Sequence, residues 1–441
     1  MHWSSVLGRA AILAAFCCLV AGCASAIRNN PAQGQPVLRE FAARVPAMRA
    51  QMPAVIKSAQ AAGQQIAAHP ETLLNVPYWE QMGFSEEMLN RAGGLAHAYP
   101  TEARQNEATD HDVVLLSVRS WEKDGERIVQ KVKEYRSKSW TVTLIASAAG
   151  RPQDIVVDYF IDNGAPSPGA EHGRINALAN VTLGWMWCCE YVSAMTREGK
   201  IPGILISVAL PGAEEYDAKI QTPEGRHKIN PCDTPVPPGR LAEVYLKRIE
   251  KAIADLKTPR IQDQVRKAAD IAAARMAAGE TVGLSALGHL IIFEVMEDDA
   301  KAPWKQFFGI HGNDIFERTM KPGELLVWIA YMGMDSAYAS YGERIEKAKV
   351  DLITSYAPPL EPAAPPARQL AHIEQPWEAG DAVVPLPCEP GSMAPASGII
   401  STLIFRMLDD EVAARLAPPG QSASPAAVRR ASRQAAAVAH Y

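Results

Sequence analysis

Several carboxylates and histidines in this sequence sit where burial or a turn could make them reactive. Glu190 comes near the end of a long apolar run, INALANVTLGWMWCCEYV, beside Trp185 and Trp187. Apolar surroundings raise a carboxyl pKa and suit it to general acid/base chemistry; a solvated place near the helix end is the other reading of this residue. His289 follows Gly288 at a strand-to-helix turn, from which it could touch a ligand, although a surface histidine fits equally well. Glu294 lies five residues on, in the helix that this turn opens, and is grouped with His289 as an acid/base candidate. His172, with Glu171 and Arg174, occupies the Gly-rich stretch PSPGAEHGR, which could hold an anionic or hydroxyl-rich ligand or be a plain surface loop. Asp162 and Asn163 in YFIDNG are residues that shape turns through their own side chains.

Other chemistries find no support. There is no HExxH, the glycines after the strands lack the GxGxxG order, and Ser117 is not in a GxSxG elbow. No metal and no cofactor is expected. The 44 Lys and Arg and 49 Asp and Glu give a net charge of -5, with a pI near 6.1, and the basic residues are scattered. Nucleic acid is therefore not an expected partner.

The first residues, MHWSSVLGRAAILAAFCCLVAGC, place Arg9 before an uncharged, mostly apolar stretch over 10–22. That stretch is too short to span a bilayer but has the length of a signal-peptide core. It ends in Val20-Ala21-Gly22-Cys23, which looks like a bacterial lipobox, so residues 1–23 are expected to be a lipoprotein signal with lipidation on Cys23. Residues 24–34 would then be a tether. The protein would be anchored on the periplasmic side, and Ala24 after the Cys leans toward the outer membrane. Of the seven Cys, this leaves Cys188 and Cys189 in an apolar helix, and Cys232 and Cys388 in Pro-rich loops. An oxidising compartment would let the latter two pair.

These residues must be positioned by a recognisable grammar. Short continuously apolar strands at HDVVLLSV, WTVTLIAS, ELLVWIAYMG and DLITSYAP alternate with helices at 121–139, 175–199, 241–256, 259–279 and 397–416. Shorter strands are read at TLLNVPYW, DIVVDYFIDNG, TVGLSALGH and DAVVPLP. The pattern predicts α/β architecture with mostly parallel, doubly covered sheets. It occurs twice, over 35–235 and 236–417, and a Pro-, Ala- and Ser-rich tail over 418–441 is expected to be disordered.

The pattern resembles the sugar isomerase (SIS) domain family, in tandem and degenerate form, over roughly 70–415. RAGGLA (91–96), VVDYFIDNGAP (156–166), LPGAEEYDAKI (210–220), GHLIIFE (288–294) and PASGIIST (395–402) carry the resemblance, IDNGAP most specifically. It implies two three-layer domains and a carbohydrate or carbohydrate-derivative ligand. By analogy with how SIS domains pair, a homodimer is also open. In SIS isomerases a Glu on the late helix and a His move the proton, which by resemblance points to Glu190 and His289. Ser117 and Ser120 in SVRS, Asn163, Gly288, His172 and Arg174 would contact the ligand. The phosphate-binding loops depart from the family: Leu290, Ala330, Tyr331 and Met332 stand where hydroxyls are expected. The resemblance thus implies a sugar-binding protein without catalysis or, alternatively, an isomerase-like enzyme acting by general acid/base proton transfer.

Overall fold

The computed structural model describes residues 35–78, 82–89, 91–101, 108–167, 173–207, 210–297, 304, 306–308, 320–331, 339–358, 365–377, 380–389 and 391–417. Cys23, His172, Met332 and the tail lie outside them.

Two helices open the described chain. α1 (Pro36–Ala50) and α2 (Met52–Ala68) are separated at Gln51, with Pro53 in the first turn of α2, where a missing N–H has no partner to lose. There follow β1 (Leu74–Asn75), α3 (Met82–Met88), β2 (Ala98–Tyr99), β3 (Val113–Ser117), α4 (Trp121–Ser137), β4 (Thr141–Ala146), β5 (Tyr159–Asp162) and α5 (Gly173–Arg197). The stretch to the second half holds β6 (Lys200–Pro202), α6 (Ala213–Ile220), α7 (Pro223–Arg226) and β7 (Ile229–Pro231). The second half comprises α8 (Arg240–Leu256), α9 (Pro259–Ala277), β8 (Val282–Ala286), α10 (His289–Glu297), β9 (Gln306–Phe308), β10 (Leu325–Ile329), α11 (Ala339–Ala348), β11 (Asp351–Tyr356), β12 (Gln369–Glu374), β13 (Ala382–Pro385), β14 (Ser392–Pro395) and α12 (Ser397–Leu416).

The first sheet has the order β2-β1-β3-β4-β5 and the second β9-β8-β10-β11-β12, all parallel. The two orders are the same, so the repeat in the sequence is a repeat of topology. β3, β8 and β10 are buried at every position, which is why they read as unbroken apolar runs.

Two strand expectations change. DIVVDYFIDNG is a strand only over Tyr159–Asp162. DAVVPLP does form β13, but in an antiparallel hairpin with β14; the fifth strand of the second sheet is β12. β12 lies at the sheet edge, with Leu370 exposed and only Ala371 and Ile373 buried, so it shows no apolar run.

The two halves are not side by side. α5 is buried along nearly its whole length and packs on α2 of its own half and on α8 of the other. α12 does the same with α9 and α1, while α1 meets α8 and α3 meets α10. One apolar cluster consequently runs through both halves. Among the described residues no helix is long and apolar enough to cross a membrane.

Cys232, just after β7, is disulfide-bonded to Cys388 in the β13–β14 loop, with Cα atoms 5.5 Å apart. Cys188 and Cys189 are free thiols buried in α5. Beside the disulfide, Glu389 accepts hydrogen bonds from Tyr216 Oη (2.9 Å) and Asn230 Nδ2 (2.6 Å). The bond closes a loop across a sequence separation of 156. Replacing both cysteines by Ser is expected to lower stability by about 3 kcal/mol, read as a shift of the urea midpoint relative to the oxidised protein.

Candidate functional site

Most residues singled out by the sequence are buried and bonded within the protein. Ser117 ends β3 and is buried. Ser120 holds the N-cap position of α4 without making the cap bond, and its buried Oγ has no hydrogen-bond partner among the described residues. The loop between them is braced from α5, where Asn180 Nδ2 donates to the Val118 carbonyl and Asn176 Nδ2 to that of Arg119, both at 2.9 Å. Asn163 joins this brace. Its Nδ2 donates to Asn180 Oδ1 (2.8 Å) and its Oδ1 accepts from the Ala165 N–H (3.0 Å). With both ends of its amide used and no exposed surface, Asn163 holds a turn instead of a ligand.

Glu190 differs most from its expected role. Its Oε2 accepts from the Gly239 N–H (2.7 Å) and its Oε1 from the Ala242 N–H (3.1 Å). These donors belong to the start of α8, where the first N–H groups of a helix lack intrahelical partners. Burial raises the pKa of Glu190 against the opposing effect of these two bonds. The raised value that suggests a base thus accompanies a helix cap reached from another helix.

Glu87 does the same for α10, its Oε1 accepting from the Leu290 N–H at 3.0 Å. Its Oε2 pairs with Arg91, whose Nη2 reaches Asp381 Oδ2 (2.5 Å) and Ser397 Oγ (3.0 Å). Asp381 in turn accepts from the Ser397 N–H at the start of α12 (2.9 Å). Gly398 is required here, because a Cβ would lie 1.9 Å from Glu87 Oε1. Arg91 and Ser397 lie in stretches that resemble the SIS family, whereas Glu87 and Asp381 lie in none of them.

Glu294 is buried between two guanidinium groups, Arg119 Nη2 at 3.3 Å and Arg406 Nη2 at 3.6 Å. Arg174, at the start of α5, lies 3.9 Å from Asp409 Oδ2. The Arg119–Glu294 and Arg174–Asp409 contacts cross between the halves, so Glu294 and Arg174 act in the interface. His289 opens α10 with Nδ1 3.9 Å from Glu86 Oε2 and a third of its side chain exposed. Burial of the rest, then the Arg91 charge, holds its pKa below the usual value. Gly288 forms the turn before it, where a Cβ would come within 3.2 Å of Ile291 Cγ2. Leu290, fully buried, packs against α3 beside Gly83.

In open parallel sheets ligands sit beyond the carboxyl ends of the strands. A cleft of about 680 Å³ lies at that end of the second sheet, beyond β11 and β12. Its floor and one wall come from Pro358, Gln375, Pro376 and Trp377, and a second wall from the β13–β14 hairpin through Ala382, Val383, Pro385 and Ser392. α8 and the start of α9 supply Arg248, Lys251, Asp255, Thr258 and Arg260. Gln375 is the hub of the floor: its Nε2 donates to the Ala330 carbonyl (2.8 Å), while its Oε1 accepts from Trp377 Nε1 (2.9 Å) and Ser401 Oγ (3.0 Å). The cleft has the size of a small-ligand site. None of the residues proposed from the sequence lines it. The signal that could have found it is the QPW run after HIE, together with the charged face of α8.

No family model and no curated protein matches the chain in sequence. Solved structures do. The C-terminal domain of a glucosamine-fructose-6-phosphate aminotransferase from Francisella tularensis matches with a TM-score of 0.50 at 9% identity, over 87% of this chain and 96% of that one. The chain has the SIS fold. Tagatose-6-phosphate ketose/aldose isomerase from Escherichia coli also matches, with a TM-score of 0.45 at 11% identity over 86% of this chain and 93% of that chain.

On this SIS frame the capping role of Glu190 has a clear signature. Glu190→Ala leaves two N–H groups unsatisfied and is expected to lower stability by about 2–3 kcal/mol, whereas Glu190→Gln keeps an acceptor and should lose about 1 kcal/mol; chemical denaturation distinguishes them. A second expectation concerns His97, buried with Nε2 2.8 Å from Tyr191 Oη. Burial, then the His227 charge, pushes its pKa from 6.5 down to about 3. The folded value is the lower, so its contribution is complete above pH 6.5 and is lost as the pH falls toward 3. Between about pH 7 and pH 5 the loss should be on the order of 2 kcal/mol, and His97→Gln should flatten that slope in denaturation curves.

Proposed function

We propose that this protein binds a carbohydrate derivative on an SIS frame and does not isomerise it. The observation that carries the reading is the employment of the acid/base candidates. Moving a proton between adjacent sugar carbons needs a carboxylate or imidazole within reach of the ligand. Glu190 gives both oxygens to α8, and Glu294 is buried against Arg119 and Arg406. Leu290, fully buried, stands in the first turn of α10, where the resemblance calls for a hydroxyl. The sugar phosphate in the name of the Francisella tularensis protein supports a sugar-related ligand.

One observation favours the isomerase-like alternative. His289 keeps part of its ring exposed, 3.9 Å from a carboxylate oxygen of Glu86. Isothermal calorimetry against neutral, amino and phosphorylated sugars, with aldose–ketose interconversion followed by NMR on the same ligands, separates the two readings. Binding without turnover, unchanged in His289→Ala, is expected. Turnover abolished by His289→Ala would replace this reading with the enzymatic one.

We further propose that Cys23 carries a lipid that holds the folded part on the periplasmic side of the outer membrane. The Val-Ala-Gly-Cys sequence supports this, as does the Cys232–Cys388 disulfide, a bond that persists in oxidising compartments. Metabolic labelling with a fatty acid should mark the protein, and Cys23→Ala should abolish the label and move the chain from the membrane to the soluble fraction.

A further inference from the structure

We infer that the cleft beyond β11 and β12 takes an uncharged saccharide, not a sugar phosphate. This rests on the sugar-binding reading above and narrows it to a place and a ligand class.

The cleft has two chemically distinct sides. Leu210, Pro376, Trp377, Val383 and Pro385 give an apolar side on which the C–H face of a sugar ring can lie. The Trp377 indole is fixed by its bond to Gln375, so this surface is already in place before a ligand arrives. The opposite side carries charge, but the charge is matched. Lys251 Nζ lies 2.6 Å from Asp255 Oδ2. Arg260 forks onto Glu374, with Nη2 3.0 Å from Oε1 and Nη1 bonded to Oε2. Arg248 has an interaction of its own with a neighbour.

A phosphoryl group brings a charge of about −1.5 to −2 at neutral pH and is held by helix-start N–H groups or by cations without a competing carboxylate. The start of α9 borders the cleft, but its first residue is Pro259, which has no N–H. The negative charge beside that helix start is already supplied by Glu374 on Arg260. A phosphate here would have to displace Asp255 and Glu374 from their cations and then face both carboxylates. A sugar hydroxyl is at once donor and acceptor. It can bridge the edge of an ion pair, donating to the carboxylate and accepting from the cation, without breaking the pair.

The test is calorimetry of the full-length protein with N-acetylglucosamine, methyl glucoside and cellobiose against glucose 6-phosphate and glucuronate, at low and high salt. Neutral saccharides are expected to bind with affinities that change less than about twofold with salt, since no net charge is neutralised. Ser392→Trp, which places a ring in the cleft, should weaken this binding about tenfold or more, and Glu374→Gln should weaken it several-fold. Thermal unfolding of both variants establishes that they are folded; Lys251→Gln, on an exposed side chain, serves if either is not. Tighter, salt-sensitive binding of the phosphate or the uronate would overturn the uncharged class and leave the sugar-binding reading intact. Neutral binding untouched by folded cleft variants would overturn the place. If no saccharide binds, the sugar-binding reading falls and this inference falls with it.

Discussion

Three helices of the second half each start against a buried carboxylate. Glu190 meets the start of α8, Glu87 that of α10 and Asp381 that of α12. The first N–H groups of a helix have no partner within it, and the carboxylates supply one. The partially positive helix end also favours a negative group. Two of the three carboxylates come from the first half, so the caps join the halves as well as the helices. Arg91 offsets the charge of Glu87 and Asp381, and removing one partner from such a buried set typically costs about 3–5 kcal/mol.

This arrangement explains why the helices cross between the halves and why the shared interior is closed. The long helices α5 and α12 each lie on the opening helix of the other half, and the carboxylates that could have lined a central site are turned to backbone N–H groups and guanidinium ions. Open space is left at the rim of the second sheet, lined by the β13–β14 hairpin and by α8. That hairpin is tied at its base through Asp381 and at its tip through Cys388 and Glu389. The wall of the cleft is therefore fixed at both ends, which suits a site whose ligand meets a prepared surface.

Much of the fold was legible because burial on both faces writes continuous apolar runs. VVLLS, TVTLIA and LLVWI announce themselves, and with them the alternation that implies a parallel sheet. β2 and β9 were missed because two or three residues carry no periodicity, and β12 because an edge strand alternates. The repeat was visible in the order of elements, although the SIS resemblance was carried by segments that turn out to build the interface: Arg91 and Gly398 serve the Glu87 network, and Asn163 braces a turn.

The sequence alone was enough for the class of architecture, its duplication and the core status of Cys188 and Cys189, while the Cys232–Cys388 pairing stayed an expectation that depended on an oxidising compartment. It left Glu190 open between a carboxylate in apolar surroundings and a solvated one near a helix end; the residue is buried. Only the tertiary structure decided what that carboxylate does, because its partners at Gly239 and Ala242 are about fifty residues away and are backbone groups, identical for every residue type. The cleft was hidden for a related reason. Its lining is drawn from α8, the ends of β11 and β12, and a hairpin, none of which carries a motif, and a cavity is a relation among surfaces that a linear pattern does not record.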